Sequence, residues 1–321
     1  MDDMLKSMSK SVTLTTGTAN LGDSQLEHKA MTRAMWRPRP KRRWLAGRIF
    51  FLLTLLSTLI GLISLIFLLD SILGQGWERV SWEFISSFPS RVASRAGIKA
   101  ALVGSLYLTG LVALLAIPLG VGAAVYLEEF AAETRLRRII DVNIANLAGV
   151  PSIVYGMLGL MVFVRICAFG HSLLAGACTM SLLILPVIIV TAREALKTVP
   201  MGVRLAALGL GATRWQAVRA HVLPTAMPGI LTGVILSLSR AVGETAPLLM
   251  IGALSYMAFV PESPMDDFTV LPIQIFNWSA RPQDEFRVAA AAGILVLLGV
   301  LLTVNACAIF ARMRFQRKMQ W

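Results

Sequence analysis

A run of 21 residues without a charged side chain, from Ile49 to Leu69, most constrains how this chain can fold. An α-helix of about 20 residues crosses a hydrocarbon core of roughly 30 Å. Five more apolar segments of similar length follow, so the predicted spans are 49–69, 100–127, 142–164, 172–192, 228–254 and 288–310. The chain is 56% hydrophobic and only 15% charged, which a bilayer explains better than a soluble core does. We therefore predict an all-α, polytopic membrane protein with about six transmembrane helices.

The segments outside the spans suggest a simple organisation. Residues 1–45 are polar and lack hydrophobic periodicity, which predicts a disordered, basic tail. Residues 46–99 hold the first transmembrane helix and an external loop. Residues 100–315 form the main transmembrane domain, which includes a long loop at 193–227.

Lys and Arg are distributed unequally between the two sides of the predicted spans. Segments on the side of the N-terminus carry 22 of them, and segments on the opposite side carry 7. Loops on the cytoplasmic side of membrane proteins are enriched in these residues. This bias predicts that both termini are cytoplasmic, in a multi-pass protein of the bacterial inner membrane. It also accounts for the net charge of +12, so nucleic-acid binding is not indicated.

The loop at 193–227 contains two short helical patterns separated by a glycine. The first covers 200–209, and Gly211 precedes the second. Thr213 followed by Gln216 three residues later is the spacing of a capping box, which predicts a helix start.

The second pattern places three apolar side chains on one helix face, at i, i+3 and i+7. They are Trp215, Val218 and Val222. We expect the Leu223-Pro224 pair to end this helix and Pro228 to open the next span. A helical elbow with an exposed Trp can transmit force from a cytoplasmic partner; an ordinary amphipathic hairpin at the membrane interface is the alternative.

Two opposite charges lie inside the fifth predicted span. Arg240 is near its middle and Glu244 is one helical turn further on, so both project from one face and can pair. Because such charges are costly in lipid, they should face the bundle interior or an aqueous path. Pro247 leaves the carbonyl of Gly243 without its helical partner, which predicts a helix break. A structural salt bridge between helices is the alternative to a transport role.

Other kinds of site have weak support in the sequence. The three cysteines and three histidines are scattered, and their spacing suggests no metal site. The chain has no G-x-x-x-x-G-K-[ST] sequence, so any ATP chemistry is expected on a partner chain. The acidic pairs in the last external loop fit a solvated rim better than a catalytic site. We predict no catalytic residue and no cofactor in this chain.

These motifs resemble those of a known transporter family. The segment from Gly211-Ala212-Thr213 to Leu223-Pro224 resembles the "EAA" loop of binding-protein-dependent ABC importer permeases. The segment from Arg240 to Pro247 resembles the R-A-x-G-E-T-A-P signature of PstA, the permease subunit of phosphate importers. The resemblance covers roughly residues 50–315. One departure is Leu205, which stands where the loop usually has an acidic residue, so the resemblance implies no salt link to the ATPase at that position.

The resemblance implies the type I ABC importer permease (MetI-like) fold and a set of partners. These are a second, PstC-like permease subunit, two ATPase subunits that bind ATP and an external phosphate-binding protein. The transported solute would be inorganic phosphate. Residues expected along its path are Arg240, Glu244, Asn146, Ser152 and Tyr155; those expected in the ATPase coupling loop are Gly211, Ala212, Thr213, Trp215, Gln216, Leu223 and Pro224. A permease for a related oxyanion or phosphonate is the nearest alternative; a membrane sensor, scaffold or embedded enzyme is a more distant one.

Overall fold

The computed structural model describes residues 40–253 and 256–318, and its regular structure there is helical. The helices in chain order are α1 (Pro40–Gly76), α2 (Trp82–Ser86), α3 (Lys99–Val125), α4 (Arg135–Ala148), α5 (Ser152–Gly159), α6 (Leu173–Lys197), α7 (Met201–Gly209), α8 (Arg214–Ala217), α9 (Leu223–Gly243), α10 (Ala246–Ile251), α11 (Leu271–Ser279) and α12 (Asp284–Lys318). Most of the predicted tail lies outside the described residues, and α1 already begins at Pro40.

Long apolar helices confirm the prediction of about six transmembrane helices. Five in the described part are long and apolar enough to cross a bilayer: Gly47–Arg79, Lys99–Phe130, Leu173–Lys197, Arg214–Gly243 and Asp284–Arg314. A sixth span is possible if the bent pair Arg135–Ala148 and Ser152–Ile166 counts as one. The chain is therefore a multi-pass membrane protein.

The third predicted span was wrong as a single straight helix over 142–164. The structure bends the chain by 104° between α4 and the helix that follows. Pro151 explains the bend, since it supplies no N–H and disfavours helical geometry at the residue before it. The sequence Gly149-Val150-Pro151 carried this signal.

The expectation that Leu223-Pro224 ends a helix was also wrong. The chain stays helical from Arg214 to Gly243, and Pro224 lies in the first turn of α9. Just before it, Val218–Val222 form a wider, π-helical turn. Such a turn shifts the hydrogen-bond register, which allows a helix to accommodate the ring of a proline.

Contacts divide the chain after Phe67 into two units. The described part of the first unit belongs to α1, where the residues from Gly47 to Phe67 are exposed although they are mostly apolar. A helix that is apolar on all sides is expected to be a membrane span.

The second unit is built around α6. Many residues along this helix are buried, including Ala177, Ile184 and Ile188. At Gly120 of α3 an added Cβ would lie 2.6 Å from Cγ2 of Ile188, so the glycine allows α3 and α6 to approach closely. Small residues at helix contacts are typical of membrane proteins, where van der Waals packing holds helices together.

Candidate functional site

The interruption between α9 and α10 forms the first part of the candidate site. Helix α9 ends at Gly243, Glu244 has extended backbone angles, and α10 begins at Ala246. Pro247 is the second residue of α10, where its missing N–H costs no helical hydrogen bond. The backbone at 244–245 is therefore outside regular helix, in a segment that the sequence places deep in the membrane.

Arg240 and Glu244 form an ion pair beside this interruption. Arg240 Nε lies 3.3 Å from Glu244 Oε1, and 52% of the Arg240 side chain is exposed against 20% for Glu244. Within the described residues Glu244 is the charged partner of Arg240, and Arg240 contacts it through Nε alone. The terminal guanidinium nitrogens thus remain available on the surface of this chain. A planar guanidinium there can bind an anion or a neighbouring subunit.

Helix α5 packs against the break between α9 and α10. An added Cβ at Gly156 would lie 2.7 Å from Cα of Pro247, so α5 and α10 are in close backbone contact. Leu248 and Ile251 of α10 are buried. This packing fixes one side of the break, while the Arg240 side chain stays half exposed.

A small cavity also lies behind the break, between α3, α6 and α9. Its volume is about 10 Å³, and its lining includes Ser105, Thr109, Ala241 and Leu248. A cavity of this size holds about one water molecule. It is too small for an oxyanion, so this cavity offers a solute no room and the outer surface near Arg240 is the better candidate for a path.

The other three predicted path residues do not share one environment. Asn146 is exposed on α4, and Ser152 is half-buried at the start of α5. Tyr155 is only 4% exposed, and its hydroxyl donates a hydrogen bond to the Leu147 carbonyl at 2.8 Å. The Tyr155 side chain therefore stabilises the bend between α4 and α5 and does not lie on an open surface.

The second part of the site is the α7–α8 hairpin, defined here as Met201–Val222. Gly211 has φ +87°, a conformation that suits glycine, and it lets the chain reverse between α7 and α8. The predicted capping box is present: the Thr213 hydroxyl accepts from Gln216 N–H at 3.3 Å, and Gln216 Oε1 accepts from Thr213 N–H at 2.8 Å. The local turn chemistry thus fixes the shape of this hairpin.

The hairpin presents apolar side chains on its outside. Trp215 is 54% exposed, and Leu205 and Leu210 are also exposed. The other two residues of the predicted face, Val218 and Val222, are buried against the chain. Exposed apolar side chains grouped on one loop are typical of a protein-binding surface.

Partly buried ion pairs connect the hairpin and α6 to the end of α3 and to α4, and sequence analysis did not identify them. Arg193 of α6 contacts Asp141 at 2.6 Å and Glu128 at 3.3 Å. Arg204 of α7 contacts Glu129 at 2.6 Å. The hydrogen bonds with Glu129 raise the pKa of Arg204, against the opposing effect of its burial. A cation with a raised pKa stabilises the fold at every pH below its usual pKa, so at neutral pH this contribution is complete.

A sequence signal for this network did exist. Glu128 and Glu129 directly follow an apolar span, on the side where the positive-inside rule places most Arg residues. Carboxylates at a membrane boundary need cationic partners once they are partly buried.

Known membrane transport proteins are similar to this chain in sequence. Residues 116–318 match the family model described as "Binding-protein-dependent transport system inner membrane component". The chain is 32% identical over 264 residues to the probable ABC transporter permease protein YqgI of Bacillus subtilis, covering 78% of this chain and 88% of that protein. It is 32% identical over 284 residues to the phosphate transport system permease protein PstA 1 of Mycobacterium tuberculosis (87% and 92%). It is 33% identical over 267 residues to PstA of Haemophilus influenzae (83% and 92%).

Solved structures share the fold. A bacterial ABC transporter for the import of alginate superposes with a TM-score of 0.60 and 17% identity, covering 85% of this chain and 96% of that one. The MetNI methionine transporter in an inward-facing conformation gives a TM-score of 0.54 and 18% identity, covering 68% and 94%. The MetI-like fold is thus confirmed, and the chain belongs to the family of inner membrane components of binding-protein-dependent transport systems, among whose members the PstA permeases are its homologues.

Proposed function

We propose that this chain is the permease subunit of an ATP-driven importer of inorganic phosphate. One observation carries the proposal. Arg240, which the sequence places near the middle of a predicted membrane span, is half exposed beside a helix break. A guanidinium binds phosphate oxygens through paired N–H groups. The PstA relatives support phosphate over other anions, since that is the solute in their name.

Glu244 has a definite role in this proposal. A lone buried arginine would hold a phosphate too tightly for transport, because conduction needs binding that is favourable enough to enter and weak enough to leave. The nearby carboxylate competes with the anion for the guanidinium and so weakens that binding. The break between Gly243 and Pro247 would let this turn move between access states.

The path would lie between two permease subunits, since the cavity behind the break within this chain holds only about one water. The second subunit would be PstC-like, and an external binding protein would deliver phosphate. Asn146 and Ser152 could contribute polar groups to this surface, and Tyr155 would support the bend next to it.

Energy would come from ATP bound to two ATPase subunits, which the α7–α8 hairpin would contact. Gly211, Ala212, Thr213 and Gln216 would fix its shape and Trp215 would provide the exposed anchor. The continuous helix through Leu223-Pro224 would carry the motion into α9. The 22-to-7 bias of basic residues supports placing this hairpin and both termini in the cytoplasm.

Radiolabelled phosphate uptake tests the proposal. The chain is expressed with its partner subunits in a strain that lacks its own phosphate importers, and sulfate, molybdate and phosphonates are offered as competitors. We expect saturable uptake that depends on this chain and that excess sulfate and molybdate leave unchanged. Stronger competition by another anion than by phosphate would identify an importer of that anion. A strain that takes up none of these anions would favour a sensor, scaffold or enzyme.

A further inference from the structure

Glu129 is a carboxylate that the fold buries beside an arginine from a distant part of the chain. It lies in the turn that extends α3, and its side chain is 8% exposed. Arg204 Nη2 is 2.6 Å from Glu129 Oε1, and Arg204 Nε is 3.1 Å from Oε2. The two groups therefore meet as a bidentate fork, which is the most directional arrangement available to an ion pair.

Arg204 also binds the backbone at the end of α6. Its Nη1 donates to the Val199 carbonyl at 2.7 Å, and its Nη2 donates to the Leu196 carbonyl at 3.1 Å. One side chain from α7 thus holds the end of α3 and the end of α6 together. Lysine could not make this set of contacts, because it has no planar fork.

The packing around the Arg204–Glu129 pair is open. A cavity of about 510 Å³ lies between the hairpin and the end of α3, lined by residues of both. Trp215 and Phe130 make a further contact between these two parts, with ring centroids 6.3 Å apart. The ion pair and this ring contact therefore join the hairpin to the end of α3 beside an open cavity.

Helix α3 leads from this connection to the helix break. Ser105 and Thr109 of α3 line the cavity behind Ala241. They lie 24 and 20 residues before Glu129, which is roughly 30–36 Å along a helix. Gly120 holds the intervening part of α3 closely against α6. A rigid, packed helix of this kind can carry a displacement from one end to the other.

We propose that Arg204 and Glu129 are positioning residues that transmit motion of the α7–α8 hairpin to α3. This inference rests on the proposed function. It gives the motion of the hairpin two routes to other helices. One runs directly through α8 and α9, and the other runs through the ion pair and α3. Both reach the segment that carries Arg240 and Glu244.

Coupling measurements on the assembled complex in proteoliposomes test this proposal. ATP hydrolysis and import of labelled phosphate are measured together for the parent, Arg204→Met, Glu129→Gln and the double variant. Arg204→Lys keeps the charge without the fork. Glu194→Gln is the matched control, because it removes an exposed ion pair with Lys197 at the end of α6, outside the α7–α8 hairpin.

We expect Arg204→Met and Glu129→Gln to lower phosphate imported per ATP by about tenfold while ATP hydrolysis stays within about twofold of the parent. The double variant should lose about as much of this ratio as each single variant, and Arg204→Lys should fall between parent and Arg204→Met. The double variant also leaves no unpaired buried charge, which keeps the test valid if a single variant assembles poorly.

An unchanged ratio of import to hydrolysis in the double variant would overturn the inference. So would a parallel loss of import, hydrolysis and assembled complex, because that pattern indicates a purely structural role. If the parent complex imports sulfate or a phosphonate in place of phosphate, the substrate proposal fails, and the same ratio measured with that anion still tests the connection.

Discussion

The helix break and the α7–α8 hairpin use the same pair of residue types in opposite ways. At the break, Arg240 touches Glu244 through one nitrogen at 3.3 Å and is half exposed. At the hairpin, Arg204 binds Glu129 through a fork and two backbone carbonyls, and both side chains are largely buried. An arginine with unused terminal nitrogens can bind a solute, whereas one whose three nitrogens all donate hydrogen bonds holds parts of the fold together.

The largest effect should follow from removing the charge at the break. We expect Arg240→Gln to insert normally and to lose high-affinity phosphate uptake, since truncating a charge that pairs with a bound anion costs roughly 2–5 kcal/mol. Uptake and membrane abundance are measured in the same cells. Arg287→Gln removes an exposed arginine paired with Asp284 and should transport normally. Full uptake by Arg240→Gln would remove Arg240 from the path.

A second strong effect is expected on the outer surface of the hairpin. Trp215→Glu places a charge in an apolar contact, and the loss of an aromatic anchor typically costs about 2 kcal/mol or more. The ATPase should separate from the complex in a pull-down of the tagged permease. Trp82→Glu, at another exposed tryptophan, should retain it. Retention of the ATPase by Trp215→Glu would show that the hairpin is not the docking element.

A smaller effect is expected at the contact between α5 and α10, next to the break. Gly156→Ala forces a Cβ to within 2.7 Å of Pro247 Cα, and overpacking of this kind costs about 1–3 kcal/mol. The thermal midpoint of the solubilised complex should fall, and uptake should fall with it. Gly122→Ala is the control, because no atom lies within 4 Å of its added Cβ. Equal midpoints for both variants would mean that the α5–α10 contact does not support the break.

The smallest effect should come from the capping box. Thr213→Ala removes the acceptor for Gln216 N–H, a loss of about 1 kcal/mol at a helix N-terminus. Amide hydrogen exchange in 213–217 should accelerate while uptake changes little. Ser81→Ala removes the corresponding cap of α2 and serves as control, since it should leave exchange at 213–217 unchanged. Unchanged exchange in Thr213→Ala would mean that tertiary contacts alone hold α8.

The sequence predicted the spans well because each depends on a long local run of apolar residues. Ile49–Leu69 alone is long enough to cross the bilayer. Prolines were harder to interpret. Pro151 produces a sharp bend, whereas Pro224 sits inside a continuous helix. Pro224 follows the π-helical turn at Val218–Val222, which no local composition rule foresees.

Some contacts of the candidate site could be predicted from the sequence and others could not. Arg240 and Glu244 are one helical turn apart, so their spacing alone predicts the contact. The partners Arg193 and Glu128 are 65 residues apart, and Arg204 and Glu129 are 75 apart. Only the packing of α3, α6 and α7 brings these pairs together. The charge bias predicts that both members lie on one side of the membrane, but not which acid meets which base.

Thiol labelling at position 244 tests the central claim most directly. The three native cysteines, Cys167, Cys178 and Cys307, are replaced, Glu244→Cys is introduced, and the assembled complex is treated with a membrane-impermeant thiol reagent. The account predicts labelling in at least one nucleotide state, with the rate slowed by inorganic phosphate. A thiol that stays unlabelled in every state, with and without ATP, would contradict the claim that solute passes beside Arg240 and Glu244.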